Sequence, residues 1–191
     1  MPASANRSLA KPAAWADWAR YTRAWFRRED SPDAAALAVA AALLSSGESS
    51  RLNQALVYRA QSAQAAGFAS DLFADAGMLA AYAVAASGQS LRTLEAGLLA
   101  EIGALARRPV GRAELDKVRT QLLTGALLSR QTPQGLADAI GRAVLVDGDA
   151  READRRLGRL QAVQAADVQR VLQRHVLQAR RVTLDYVKAA A

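Results

Sequence analysis

The apolar positions of the chain follow two periods. Between Ser90 and Pro109, leucine and isoleucine recur about every 3.6 residues, which predicts an amphipathic helix. Residues 33–45 are apolar nearly all round, which is typical of a central, buried helix. Residues 181–187 instead alternate between apolar and polar side chains, so Val182, Leu184 and Tyr186 are predicted to form one face of a half-buried strand.

Several other helices are predicted from start and stop signals. Ser31-Pro32 and Thr132-Pro133 each place a capping side chain before a proline at the first helical position. Gly111 precedes one apolar stripe, and Gly148 follows another. The remaining helices are predicted at residues 50–61, around 157–160 and at 168–176.

Residues 63–73 and 77–87 are predicted to be an antiparallel pair of strands. Asp75-Ala76-Gly77 between them has the composition of a turn. In the second strand, one face consists of Met78, Ala80, Tyr82, Val84 and Ala86. Small residues dominate the other face, and such a face allows helices to pack closely against it.

Strands near both ends, with helices between them, predict an α+β fold. We expect a largely antiparallel sheet with helices packed on one face. Residues 1–30 are predicted to be an N-terminal tail with a possible first strand. Residues 31–188 are predicted to form the α+β domain.

The aromatic residues of the N-terminal region fit two structures. Trp15, Trp18 and Trp25 fall roughly on one helical stripe. Tyr21, Trp25 and Phe26 suit an extended strand equally well. In either structure, these side chains are expected to pack onto the domain.

Composition narrows the class of protein. A hydrophobic fraction of 51% in 191 residues is typical of a globular chain, and the absence of cysteine excludes disulfides and thiolate metal sites. The longest near-apolar run, residues 34–44, is too short to span a bilayer. The net charge is +7, but the arginines are scattered rather than clustered, so nucleic-acid binding is not expected.

The chain lacks the familiar hydrolase motifs. It has one histidine, His175, and a catalytic zinc needs three protein ligands. No Gly-x-Ser-x-Gly elbow and no phosphate-binding loop is present. We therefore assign no catalytic residue and no metal ligand, and we expect His175 to be a packed or half-exposed ring. The pair Glu114 and Arg119 is expected to lie on a solvated helix face.

A run of motifs resembles the non-catalytic C-terminal domain of pitrilysin/insulinase-type zinc metallopeptidases. An apolar helix is followed by Ser45-Ser46-Gly47, then Ser49-Ser50-Arg51-Leu52, then Ala55-Leu56-Val57-Tyr58 and a small-residue strand. Further similar pieces follow in the family's order and spacing, including Asp75-Ala76-Gly77-Met78, Arg108-Pro109-Val110, Ala113-Glu114-Leu115 and Ala165-Ala166-Asp167-Val168.

The resemblance implies a role beside a catalytic partner. In this family, such a domain forms one wall of a chamber that encloses a peptide substrate. No cofactor is expected in this chain, and zinc is expected only in a partner domain or subunit that carries His-x-x-Glu-His. Bacterial members are often periplasmic, although no signal segment is visible in this sequence, so the compartment stays open.

The resemblance also points to two substrate-binding candidates. Many members carry an arginine and a tyrosine seven residues apart, which contact the substrate. The corresponding positions here are Val57 and Gln64. Gln64 retains an amide that can donate a hydrogen bond, and Tyr58 adjoins the other position. We name Gln64 and Tyr58 as the candidate substrate contacts.

Two other functions stay open. An arginine-rich helical protein that binds nucleic acid or an anionic surface should bind in a strongly salt-dependent way. A pure scaffold subunit, similar to the family's catalytically silent members in respiratory complexes, would have a stable partner and no role in proteolysis.

Overall fold

The computed structural model describes residues 19–26, 33–72 and 77–186. In chain order the elements are β1 (Ala19–Phe26), α1 (Ala34–Ser45), a first π-helix (Asn53–Arg59), β2 (Ala63–Leu72), β3 (Gly77–Ala85), α2 (Leu91–Arg107), α3 (Arg112–Ser129), α4 (Pro133–Asp147), α5 (Glu152–Ala162), α6 (Ala165–Leu172), a second π-helix (Gln173–Leu177) and β4 (Arg181–Tyr186). None of the helices in the described ranges is long and apolar enough to cross a membrane.

The strands form one antiparallel sheet in the order β2-β3-β1-β4. The predicted α+β fold with helices on one face is therefore confirmed. β1 pairs with both β3 and β4, and this pairing identifies residues 19–26 as a strand rather than a helix. The N-terminal tail, Trp15, Trp18, Ser31-Pro32 and Asp75-Ala76 lie outside the described residues.

The core lies between α1 and one face of the sheet. Leu37, Val39 and Leu44 of α1 are fully buried, as the all-apolar sequence predicted. β3 contributes Leu79, Ala81, Ala83 and Ala85 to the same core. Because three of these four side chains are single methyl groups, the helices can lie close to the strand. The small-residue face of β3 is thus confirmed as the helix-packing face.

Most of the predicted helix starts and ends agree with the structure. α2 begins after Ser90, and α3 begins after Gly111. The Thr132 hydroxyl accepts a hydrogen bond from the Gly135 amide at 3.1 Å, and Gly148 ends α4 in the left-handed conformation with φ of 76°. Thr132-Pro133 and Gly148 therefore act as the sequence predicted.

Two predictions about exposure are wrong. Val182 and Tyr186 are 52% and 45% exposed rather than half-buried, because β4 is an edge strand and their side of the sheet carries no described helix. Glu114 and Arg119 do not lie on a solvated face. Arg119 donates to the carbonyls of Gln161 and Val163 at the end of α5, at 3.0 and 3.1 Å.

A buried carboxylate at the start of α1 contacts α6 and the π-helix that follows it. The side chain of Asp33, just before α1, is 4% exposed and accepts a hydrogen bond from Arg170 of α6. The Nε2 atom of His175 lies 2.7 Å from Oδ2 of Asp33, so the predicted packed ring of His175 is also hydrogen-bonded to this carboxylate. Burial acts to raise the pKa of Asp33, but the hydrogen bonds from His175 and Arg170 outweigh it, and the pKa lies below its ordinary value.

Gly67 lies beneath an aromatic ring. Gly67 and Tyr82 are opposite each other on β2 and β3. A Cβ atom at Gly67 would stand 2.5 Å from two ring carbons of Tyr82 and 2.6 Å from its hydroxyl oxygen. The ring therefore spans from β3 across β2, the arrangement by which aromatic residues cover a glycine in a sheet.

We expect Asp33→Asn to destabilise the fold by about 2 kcal/mol at neutral pH, because charge-assisted hydrogen bonds to two side chains are lost. A carboxyl with a lowered pKa stabilises the folded state above its ordinary pKa, 3.8, and this contribution disappears as the pH falls through the lowered value. Denaturant unfolding of both proteins at pH 7 and pH 3 measures the effect. Equal stability at pH 7 would contradict the role of Asp33.

We expect Gly67→Ala to cost about 1–3 kcal/mol of folding free energy, because the new methyl group must displace the Tyr82 ring. In a Tyr82→Val background, the same substitution should cost much less. A double-mutant cycle of unfolding free energies measures this coupling. Additive effects would show that the ring does not restrict Gly67.

Candidate functional site

Three backbone irregularities lie close together between residues 53 and 65. The first π-helix occupies Asn53–Arg59. Gln61 has φ of 49° and is the one non-glycine residue with positive φ in the described ranges. β2 then begins with a bulge that leaves Gln64 as the extra residue between Ala63 and Ala65. π-Helical turns, bulges and left-handed residues occur preferentially near functional sites, so this segment is the candidate site.

The two predicted substrate contacts lie on either side of this turn. Tyr58 is on the first π-helix and is 50% exposed. Gln64 is exposed at the bulge. Val57, at the position where the family resemblance predicts an arginine, is half-buried and packs against the core instead. Both candidate side chains can therefore be reached from solvent.

An ion pair fixes the start of the first π-helix. Arg51 donates from Nε and Nη2 to the two carboxylate oxygens of Glu114 on α3, at 2.8 and 2.7 Å. The hydrogen bond to Glu114 raises the pKa of the Arg51 guanidinium. This pairing of Arg51 with Glu114 was not predicted from the sequence. The two residues are 63 positions apart in the sequence, so no local pattern reveals the pair.

Side-chain amides hold the loop before the π-helix. Asn53 donates to the carbonyl of Gly47, and Gln54 donates to that of Glu48, each at 3.0 Å. At the other end, the buried Ser62 amide donates to the carbonyl of Leu56 at 2.9 Å. Hydrogen bonds therefore anchor the irregular segment at both ends, and Tyr58 lies between these anchored ends.

The face of the sheet opposite the helices is largely apolar. Met78, Tyr82 and Val84 of β3 are half-buried on that side. The register with β1 places Leu184 level with Tyr82, because both pair with Tyr21. This helix-free face, defined by its β3 and β4 positions, consists of Met78, Ala80, Tyr82, Val84, Val182, Leu184 and Tyr186.

The described residues do not suit a zinc site. They contain no group of three or more histidine, cysteine, aspartate or glutamate side chains that could hold a metal ion. His175 and Asp33 are adjacent, but Arg170 and Arg174 also face the Asp33 carboxylate, and their positive charge opposes binding of a cation. We therefore derive no chemical step through a metal in this chain.

Solved structures share this fold. A protease from Helicobacter pylori superimposes with a TM-score of 0.83 at 18% identity, over 90% of this chain and 41% of its own. The inactive peptidase domain of a predicted zinc protease from Bordetella parapertussis gives 0.81 at 23% identity, over 93% and 94% of the two chains. A chain of complex III from Candida albicans gives 0.74 at 19% identity, over 89% and 43%.

These comparisons show how much of a longer relative the chain spans and which family it belongs to. The chain spans about two fifths of the Helicobacter pylori protease that it matches. No curated protein sequence matches it significantly. The family model of the Peptidase M16 inactive domain matches residues 11–122, more than half of the sequence. The chain belongs to the family of Peptidase M16 inactive domains.

Proposed function

We propose that this domain is the non-catalytic half of a zinc metallopeptidase and works beside a zinc-bearing domain or subunit. It would form one wall of a chamber that encloses a peptide substrate, and the companion would supply the hydrolytic chemistry. The observation that carries the proposal is the one-sided sheet, whose helices cover one face and leave an apolar face for enclosure.

The residues of this chain support the proposal that a companion supplies the catalytic zinc site. The chain has a single histidine, so it lacks the two histidines of a His-x-x-Glu-His helix. A companion is also consistent with the longer relatives, in which this fold accounts for about 41% and 43% of the chain. The companion is either a second domain of a longer parent or a separate subunit.

The helix-free face is suited to enclosure rather than to tight, specific binding. Its β3 and β4 positions are mostly aliphatic or aromatic, and exposed Val182 and Tyr186 extend it to the sheet edge. Tyr58 and Gln64 border β2 and offer a hydroxyl and an amide, which can bond the main chain of any polypeptide. We assign these two side chains to substrate contact.

We expect affinity capture of the tagged chain from its native cell extract to recover a stoichiometric companion with His-x-x-Glu-His. Mixing the two purified proteins should restore cleavage of an unfolded peptide, and a chelator should abolish it. Cleavage by this chain alone with added zinc would contradict the proposal. A stable partner without the zinc motif would favour the scaffold function instead.

In the reconstituted enzyme, we expect Tyr58→Phe and Gln64→Leu each to raise KM for an unfolded peptide about fivefold, which corresponds to the loss of one hydrogen bond. Gln131→Leu, an exposed change in the turn after α3, is the matched control and should leave KM unchanged. Steady-state kinetics measures the effect. KM values equal to that of the control would remove both residues from the substrate site.

A further inference from the structure

We propose that the outer face of α4 binds the same face of a second copy of this chain. The outer face is defined by Ala137, Asp138, Gly141, Arg142 and Leu145. These residues recur at intervals of three and four, so they lie on one side of the helix. The inference does not rest on the proposed function, because it concerns the helical layer and not the helix-free face of the sheet.

Exposed apolar side chains are concentrated on α4 and on the end of α3. Of the ten large apolar side chains that are exposed in the described ranges, six lie between residues 127 and 145, namely Leu127, Leu128, Leu136, Ile140, Val144 and Leu145. Together they expose about 600 Å² of surface, as much as the largest apolar patch of a typical monomer. So much exposed apolar surface on one helical hairpin is typical of a protein interface.

α4 lies on the outside of the helical layer. Among its residues, Ala143 is the buried one, and the helix packs mainly against α5. Leu145 follows two positions later, so it points to nearly the opposite side, and it is 87% exposed. A Cβ atom added at Gly141 would meet no other atom within 4 Å. The space in front of the outer face is therefore open, and the small residues Ala137 and Gly141 allow another helix to approach closely.

The charges of the outer face are complementary to themselves. Two copies of one chain usually associate about a twofold axis, and such an axis places the two α4 helices antiparallel. When the axis is level with Ile140, Asp138 of each copy faces Arg142 of the other. Both side chains are exposed, so two pairs of opposite charge can form across the contact. This symmetry favours a second copy over an unrelated partner.

The net charge of +7 does not oppose this contact directly. The outer face carries one acidic and one basic residue, so the face itself is neutral. Exposed charges that are farther apart than about 8 Å are largely screened at physiological ionic strength. The excess of arginine elsewhere on the two copies therefore has little effect on the affinity of the two α4 helices for each other.

The direct test is analytical ultracentrifugation of the purified chain over a range of concentrations, in which we expect an equilibrium between monomer and dimer. Leu145→Lys places a charge in the apolar part of the contact and should raise the dissociation constant at least tenfold. Val182→Lys, the same charge at an exposed position of β4, is the matched control and should leave it unchanged. A chain that stays monomeric at every concentration, or equal effects of the two variants, would overturn the proposal.

Exchange of the two charges tests the antiparallel arrangement. Asp138→Arg places like charges opposite each other across the contact, so we expect the dimer to weaken at least fivefold. Adding Arg142→Asp restores the opposite charges and should return the dissociation constant to within about twofold of the original value. Circular dichroism verifies that both variants fold. A double variant that dimerises no better than Asp138→Arg alone would overturn the proposed pairing of the two helices.

A single introduced cysteine locates the twofold axis. The chain contains no cysteine, so a disulfide formed by one new cysteine must join two copies. Gly141 lies one residue from the proposed axis, which brings the two copies of this position within the distance that a disulfide spans. We expect Gly141→Cys to form linked dimers under mild oxidation and Val182→Cys to remain monomeric. The reverse result would overturn the assignment to α4.

Two further outcomes separate this inference from the proposed function. A linked Gly141→Cys dimer that still binds the zinc-bearing companion would support both, because the contact leaves the helix-free face open. If the chain is monomeric alone and Leu145→Lys abolishes binding of the companion, the companion occupies the outer face of α4. That result would overturn this inference and leave the proposed function standing.

Discussion

The fold depends on the close approach of α1 to the sheet. Leu37, Val39 and Leu44 of α1 are buried, and α1 lies against β2. α2 lies against β3, whose inner face is mainly alanine, so methyl groups set the distance between α2 and that strand. Asp33 ties the start of this helix to α6, and the Ser45 hydroxyl ties its end to β2. Because the helices occupy that one face, the opposite face is the surface left for a partner or substrate.

Much of this architecture could be predicted from the sequence, because it is encoded by local patterns. The buried helix at 33–45, the capped start at Thr132 and the left-handed stop at Gly148 each follow from a few neighbouring residues. Exposure along β4 could not be predicted, since alternation shows that a strand has two different faces but not whether a helix covers either one. The π-helical winding of residues 53–59 also has no periodic signal.

The candidate site was predicted less completely, because its geometry comes from distant residues. Gln64 and Tyr58 were named through a family resemblance, and the structure adds that both are exposed beside an irregular turn. Glu114 supports this turn from α3, 63 residues away from Arg51, and no spacing rule connects them. The ring of Tyr82 over Gly67 similarly requires the strand register, which is fixed only when the sheet forms.

The central claim is that this domain completes a zinc peptidase whose chemistry resides in a companion. The most direct measurement is a titration of the zinc-bearing companion with this chain, with the cleavage rate of an unfolded peptide as the signal. The account predicts a rate that rises with added chain and reaches a plateau at one equivalent. A companion that is fully active alone, with a rate unchanged by this chain, would contradict it.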